Sequence, residues 1–146
     1  MIEVERAYDG GCHCGALRVR FTPARTAEEV PLRQCACSFC RKHGATAATD
    51  ADGRLHIEVV DLDEAVRYRF GLRTADFLLC GRCGVYVAAV METEAGAVAT
   101  LNVNILDDRA AFTAEPTSVD YGEEEAHARR LRRARAWTVT TIRVRS

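Results

Sequence analysis

A chain of 146 residues with 48% hydrophobic and 28% charged residues has enough apolar material for one domain with a buried core. Its formal net charge of −1 at pH 7 provides no overall attraction to nucleic acid or to an anionic membrane surface. No apolar run approaches the roughly 20 residues that span a bilayer, so we expect neither a membrane nor a nucleic-acid partner.

Seven segments are predicted to be β-strands, because apolar and polar residues alternate in them or because they are short apolar runs beside turn residues. In chain order they are residues 16–21, 55–60, 65–70, 76–79, 85–91, 97–103 and 138–144. Residues 23–31 and 50–54 are predicted to be loops, and Glu94 to Gly96 a hairpin turn. A short helical turn is expected after Cys37. The sequence predicts a mainly β protein, organised as a single domain over residues 1–146.

A second helix is predicted from about residue 123 to 136. Three glutamates fall in its first turn and five arginines toward its end, which is the polarity that the helix dipole favours. Glu125 and Arg129 have the spacing of a favourable ion pair. His127, Leu131 and Ala134 form only a narrow apolar stripe, so we expect a surface helix with solvated charges. A nucleic-acid patch is the weaker interpretation of these arginines.

The seven cysteines are the most informative residues, since each has another cysteine within three positions. They form three clusters: Cys12 and Cys14; Cys35, Cys37 and Cys40; Cys80 and Cys83. An odd number at such short spacings suits metal chelation better than disulfides. Tetrahedral zinc takes about four ligands, and a catalytic zinc usually keeps three protein ligands and one open position. Seven thiolates therefore divide naturally into a closed site of four and an open site of three.

The first and third clusters have features that favour a shared, structural site. Each pair abuts a predicted strand, and each is followed by a glycine, Gly15 or Gly84, that permits a positive φ. Two such corners brought together would clamp one zinc ion and join distant parts of the sheet.

The middle cluster offers three thiolates from one short segment. His43 follows three residues after Cys40 and is either a fourth ligand or a residue that faces solvent or substrate. Asp50 or Asp52 could also close the site. A reductase mechanism would need a cysteine free of metal, and all seven are assigned. Thiols poised for zinc, together with an N-terminus that lacks a signal pattern, predict a cytoplasmic location.

The clusters together resemble the glutathione-dependent formaldehyde-activating enzymes, whose domain is shared with centromere protein V. The matching motifs are the stretches at 11–15, 35–45 and 79–84, with a further likeness at 103–107, so that the motif core covers about residues 10–107. The arginine-rich tail beyond Pro116 is not part of the shared pattern. The resemblance implies a fold of small antiparallel sheets pinned by zinc, related to methionine sulfoxide reductase B.

The resemblance also implies two zinc ions and a reaction. Cys12, Cys14, Cys80 and Cys83 would bind the structural zinc. Cys35, Cys37 and Cys40 would bind a second, reactive zinc, whose site can be partly occupied. The activity implied is that of a carbon–sulfur lyase or synthase, which joins a thiol such as glutathione to formaldehyde or another small aldehyde.

Two questions stay open at the level of sequence. The three residues after Cys40, from Arg41 to His43, would either meet the carboxylates of the substrate or only offset the negative charge of the site. The alternative function is a non-catalytic, zinc-stapled interaction module. It predicts an exposed partner surface and a second zinc with no accessible open position.

Overall fold

A computed structural model describes residues 6–145 of the chain. Residues 1–5, on which the expected lack of a signal pattern depends, lie outside the described residues. Two α-helices are described, α1 at Ser38–His43 and α2 at Ala126–Ala136. The described strands are β1 Tyr8–Gly11, β2 Leu17–Thr22, β3 Leu32–Cys35, β4 Ala47–Ala48, β5 Arg54–Val59, β6 Ala65–Tyr68, β7 Asp76–Cys80, β8 Tyr86–Thr93, β9 Gly96–Asn102, β10 Thr117–Val119 and β11 Thr138–Val144.

The strands form one connected, mainly antiparallel sheet. One path through it runs β1-β2-β5-β11-β9-β4-β3-β10, and β8, β7 and β6 branch from β9 in that order. One edge of β9 pairs with β8, while β11 and β4 share the other edge. Strand β9 is thus the junction that holds β3 and β7, which carry cysteines at their ends, in one framework.

The mainly β prediction is confirmed, with differences in how the strands assemble. All seven predicted strands are present within about two residues of their predicted ends. They belong to one sheet rather than several small ones, and the pairs β3–β10 and β5–β11 are parallel. The expected kinship with methionine sulfoxide reductase B is not confirmed and stays a prediction. No helix in residues 6–145 is long and apolar enough to cross a membrane.

Strand β8 lies at the centre of the core. Its residues Tyr86–Met91 are all buried, as expected for an uninterrupted apolar strand. Part of the strand packs into the main core, and Ala89 and Met91 pack in a second cluster with Trp137, the residue that follows α2. Trp137 thereby fixes the end of α2 against the sheet.

Helix α2 differs from its prediction in both its start and its inner face. It begins at Ala126, so the three glutamates precede it, and Glu124 rather than Glu125 makes the ion pair with Arg129. The expected apolar stripe is wrong, because Leu131 is 45% exposed whereas Arg133 is only 8% exposed. The helix therefore presents arginine side chains to the protein.

Glu124 ties two of these arginines to the segment before the helix. Its carboxylate accepts hydrogen bonds from Arg132 Nε at 2.9 Å and Nη2 at 3.0 Å, and from Arg129 Nε at 3.2 Å. The hydrogen bond from Arg132, with a smaller opposing effect of burial, lowers the pKa of Glu124 below its ordinary value of 4.5. A lowered carboxyl pKa means that the folded state favours the ionised form.

We expect Glu124→Gln to lower the free energy of unfolding by about 1 kcal/mol at pH 7, the scale of a partly exposed charged hydrogen bond. Because the folded pKa of Glu124 is the lower one, this stabilisation is complete above pH 4.5 and disappears as the pH falls through the folded pKa. Urea unfolding at pH 7 and at pH 3 measures it, with Glu123→Gln, the exposed neighbour, as control. An equal difference at both pH values would contradict this ion-pair account.

Candidate metal centres and the adjoining cavity

Four cysteines from distant parts of the chain meet at one corner of the sheet. Cys12 and Cys14 lie in the turn between β1 and β2, Cys80 ends β7, and Cys83 lies in the turn before β8. Their four sulfur atoms all lie within 4.8 Å of one another. The Cys12–Cys14 and Cys14–Cys80 sulfur distances are 3.8 and 3.5 Å. A tetrahedral zinc with Zn–S bonds of about 2.3 Å separates its sulfurs by about 3.8 Å, so this group fits such an ion.

The backbone around this group is shaped to support thiolates. Leu17 donates its N–H to Cys12 Sγ at 3.3 Å, and Cys83 donates to Cys80 Sγ at 3.4 Å. The predicted positive φ is confirmed for the glycine after each pair, at 85° for Gly15 and 80° for Gly84. The left-handed turn lets N–H groups point toward the sulfurs.

The thiols of this corner differ in acidity. Burial raises the pKa of Cys80 to about 12. Burial also opposes ionisation of Cys83, but hydrogen bonds from backbone N–H groups and from the Cys80 thiol outweigh it and lower the Cys83 pKa to about 6. Cys83 is therefore mainly a thiolate at pH 7, which is the form that binds metal.

Three further cysteines form a second group where β3 ends and α1 begins. The sulfurs of Cys35, Cys37 and Cys40 also lie within 4.8 Å of one another. Cys37 is the N-cap of α1, and its sulfur accepts the Cys40 N–H at 3.4 Å, while Cys35 accepts the Cys37 N–H at 3.5 Å. A hydrogen bond from the Cys40 thiol lowers the pKa of Cys35 to about 5, and the same contact raises the pKa of Cys40. The group can present thiolates to a metal ion.

No histidine, aspartate or glutamate among residues 6–145 joins this second group. His43 instead packs against Phe39, with ring centroids 4.4 Å apart. Asp50 is buried and accepts the N–H groups of Ala24 and Asp52 at 2.9 and 3.1 Å, so it organises the loop before β5. The three alternatives considered from sequence therefore do not complete a fourth ligand position here.

A cavity of about 150 Å³ adjoins the three-cysteine group. Cys35 and Cys40 line it, and its other walls come mainly from β3, β4, β7, β8, β9, β10, the segment before α2, α2 itself and Trp137. Much of the lining is aromatic or aliphatic, and no aspartate or glutamate of the described chain lines it. Three arginines do: Arg33, Arg132 and Arg133. The sequence analysis considered three residues for contact with the substrate, Arg41, Lys42 and His43. All three are exposed, and none of them lines this cavity.

All three arginines donate hydrogen bonds within the protein, and only Arg132 is paired with a carboxylate. Arg33 Nη1 donates to Thr49 Oγ1 at 2.7 Å. Arg132 is held by Glu124, and its guanidinium carbon lies 3.5 Å from the centre of the Tyr121 ring. These two side chains are therefore fixed in the cavity wall by contacts within the protein.

Arg133 is the most buried of the three arginines. Its Nη1 donates to Thr74 Oγ1 at 2.7 Å, and its guanidinium carbon lies 4.5 Å from the centre of the Trp137 ring. Its buried Nε has no hydrogen-bond partner, and no carboxylate of residues 6–145 pairs with it. Burial, and then the charges of Arg129 and Arg132, lower its pKa to about 10, which still leaves it protonated at pH 7. A buried cation without a carboxylate destabilises a fold, so this residue needs an explanation beyond packing.

Tyr86 also lines the cavity and was missed as a functional residue, because its sequence context is that of a core strand. Burial, and then the neighbouring sulfurs of Cys40, Cys37 and Cys35, raise its pKa well above the ordinary value. The phenol is therefore a neutral hydrogen-bond donor at any physiological pH. Only its position directly after the third cysteine cluster could have drawn attention to it.

A solved structure and a family profile are both similar to this chain. A solved crystal structure, described as a Rhodobacter sphaeroides protein, is 30% identical in sequence and superposes with a TM-score of 0.53. The match covers 76% of this chain and 99% of that one. The profile of the glutathione-dependent formaldehyde-activating enzymes matches residues 7–121, which include all seven cysteines. By this match over most of its length, the chain belongs to the glutathione-dependent formaldehyde-activating enzyme family.

Proposed function

We propose that the protein is a zinc-dependent carbon–sulfur lyase or synthase that joins a thiol to formaldehyde or another small aldehyde in a reducing, cytoplasmic setting. The observation that carries the proposal is the three-cysteine group on the wall of a cavity, with no fourth ligand from residues 6–145. We assign Cys12, Cys14, Cys80 and Cys83 to a structural zinc. Family membership supports glutathione and formaldehyde as the first substrates to test.

The proposed roles follow from the chemistry of the cavity wall. Cys35, Cys37 and Cys40 would hold the zinc ion, which when bound would supply the Lewis acidity that lowers the pKa of a substrate thiol. The mostly apolar wall limits water around the reacting groups, which strengthens electrostatic interactions there. An aldehyde in the cavity would present its carbon to the sulfur.

Tyr86 is proposed as the hydrogen-bond donor to the aldehyde oxygen. Formation of the carbon–sulfur bond breaks the carbonyl π bond and places negative charge on oxygen. The Tyr86 hydroxyl, which stays protonated, can stabilise that charge. The proton lost by the thiol then binds to this oxygen and neutralises its charge. A thiol and an aldehyde thus give an S-hydroxyalkyl adduct with no other reactant.

The experiment mixes formaldehyde and glutathione with zinc-loaded protein and follows adduct formation against the spontaneous rate. Tyr86→Phe is expected to lower the enzymatic rate by about tenfold to a hundredfold, in the lower range of losses for a donor to a developing oxyanion. Tyr68→Phe, which changes a half-exposed tyrosine outside the cavity, should leave the rate unchanged. An unchanged rate in Tyr86→Phe would remove this residue from the mechanism.

The alternative, a zinc-stapled interaction module, is favoured by one observation. Leu62, Val66, Tyr68 and Leu72 are large apolar residues that are 43–60% exposed on or near β6. Such a module would bind a partner through this surface and would show no acceleration with any aldehyde and thiol. The cavity beside Cys35 and Cys40 favours the enzyme, because a structural zinc needs no adjoining cavity.

A further inference from the structure

The cavity beside the three-cysteine group has a chemical character that the family match does not supply. Four of its lining residues, Arg132, Arg133, Ala136 and Trp137, lie beyond residue 121, where the family match ends. They belong to α2 and to the residue that follows it. Part of the cavity wall therefore comes from a helix outside the family match, and that helix brings two positive charges.

Arg133 is the group in this wall that is prepared for an anion. Arg133 is only 8% exposed, and it lacks a carboxylate partner among residues 6–145. Arg132 is already paired with Glu124, and Arg33, which like Arg133 donates to a threonine hydroxyl, is less buried than Arg133. A guanidinium has a fork of N–H donors that matches a carboxylate.

The size of the cavity limits the ligand. Its volume is about 150 Å³. Cavities that enclose a drug-sized molecule have about 300–1,000 Å³. A whole tripeptide such as glutathione would therefore not be enclosed, whereas a short organic acid would. The mostly apolar remainder of the lining suits its hydrocarbon part.

We propose that the cavity binds a short thiol that carries a carboxylate, with Arg133 receiving the carboxylate and the sulfur directed to the group of Cys35 and Cys40. The proposal rests on the proposed function for the role of the sulfur, and only on the cavity for the role of the carboxylate. Helix α2 is then the element that sets the substrate preference of this chain. Arg133 is a binding residue.

The test compares two thiols of nearly the same shape, 3-mercaptopropionate and its neutral amide, in equilibrium binding to the zinc-loaded protein. The wild type should bind the acid about 30-fold more tightly than the amide, the scale of a charged hydrogen-bonded pair. Arg133→Met, which keeps an apolar side chain and removes the charge, should reduce that preference to less than about threefold. Arg135→Met, an exposed arginine of the same helix outside the cavity lining, should keep the wild-type preference.

Several outcomes decide the proposal. Equal binding of acid and amide to the wild type would overturn it, and so would an unchanged preference in Arg133→Met. If Arg133→Met does not fold, Arg133→Lys replaces it and should keep only part of the preference, because lysine lacks the fork of donors. A full wild-type preference in the lysine variant would then overturn the role of the guanidinium.

Binding requires no turnover, so its result is separate from that of the adduct assay. A preference for the acid without any acceleration of adduct formation would leave the carboxylate site standing and refute the proposed function. Acceleration of adduct formation with glutathione, together with no binding preference for the acid over the amide, would support the proposed function and refute the carboxylate site.

Discussion

Replacing Cys80 with serine is expected to unfold the protein or to lower its melting temperature drastically, with loss of one equivalent of zinc. Cys80 is 1% exposed and belongs to the group that joins the β1–β2 turn to the β7–β8 corner. In small zinc domains the free energy of metal binding is folding free energy, on the order of 10 kcal/mol. The free energy of unfolding of a domain is only about 5–15 kcal/mol, so loss of the metal-binding free energy would remove most of the stability of the fold.

Zinc content by mass spectrometry of the metal and thermal unfolding by circular dichroism measure this effect together. The matched control is Cys40→Ser in the other group, which removes a thiolate without separating distant strands. If Cys80→Ser kept both its zinc content and its melting temperature, the assignment of a structural zinc to this corner would be wrong.

Replacing Cys37 with serine is expected to abolish catalysis while the protein stays folded. Cys35, Cys37 and Cys40 come from one six-residue segment, so the loss of their metal disconnects no distant parts of the sheet. The rate of adduct formation should fall to the spontaneous rate.

Mild chelation of the wild type should remove this metal before the one at Cys12, Cys14, Cys80 and Cys83, because its loss disconnects no distant parts of the sheet.

The control for Cys37→Ser is Ser38→Ala, which changes the exposed neighbouring residue and should keep activity and two equivalents of zinc. Activity that survives in Cys37→Ser, with only one zinc bound, would show that the second metal group is not the reactive one. Unfolding of Cys37→Ser to the same extent as Cys80→Ser would contradict the division into a structural and a reactive site.

The strands that the sequence predicted are those with a strong local signal. In β2 and β5 apolar and polar residues alternate because one face of the strand is buried, and β8 is an apolar run because both of its faces are buried. Each pattern is visible in the sequence of the strand itself. Four short strands were missed: β1, β3, β4 and β10. Two of the four residues of β1 are glycines, and β4 has only two residues. These segments are strands because they pair with neighbouring strands, and not because their residues prefer the extended conformation.

In the candidate site, too, the sequence predicted the local features and missed those that depend on the three-dimensional fold. Cysteine spacing predicted the groups of four and three, since chelation by adjacent residues is a local property. The role of α2 was not predictable, because the rule that apolar residues face inward fails where a helix contributes charged side chains to the wall of a cavity. Leu131 is exposed and Arg133 is buried for that reason, and only the three-dimensional position of α2 beside Cys35 and Cys40 shows it. Tyr86 was likewise hidden within a core strand.

The central claim is that the group of Cys35, Cys37 and Cys40 holds a reactive zinc, and a metal titration of activity tests it most directly. Protein carrying one equivalent of zinc is mixed with formaldehyde and glutathione, and adduct formation is followed as zinc is raised to two equivalents. The account predicts a folded protein without acceleration at one equivalent, and activity that rises in proportion to the second. Full activity at one equivalent, or no acceleration at two with any thiol and aldehyde tried, would contradict it.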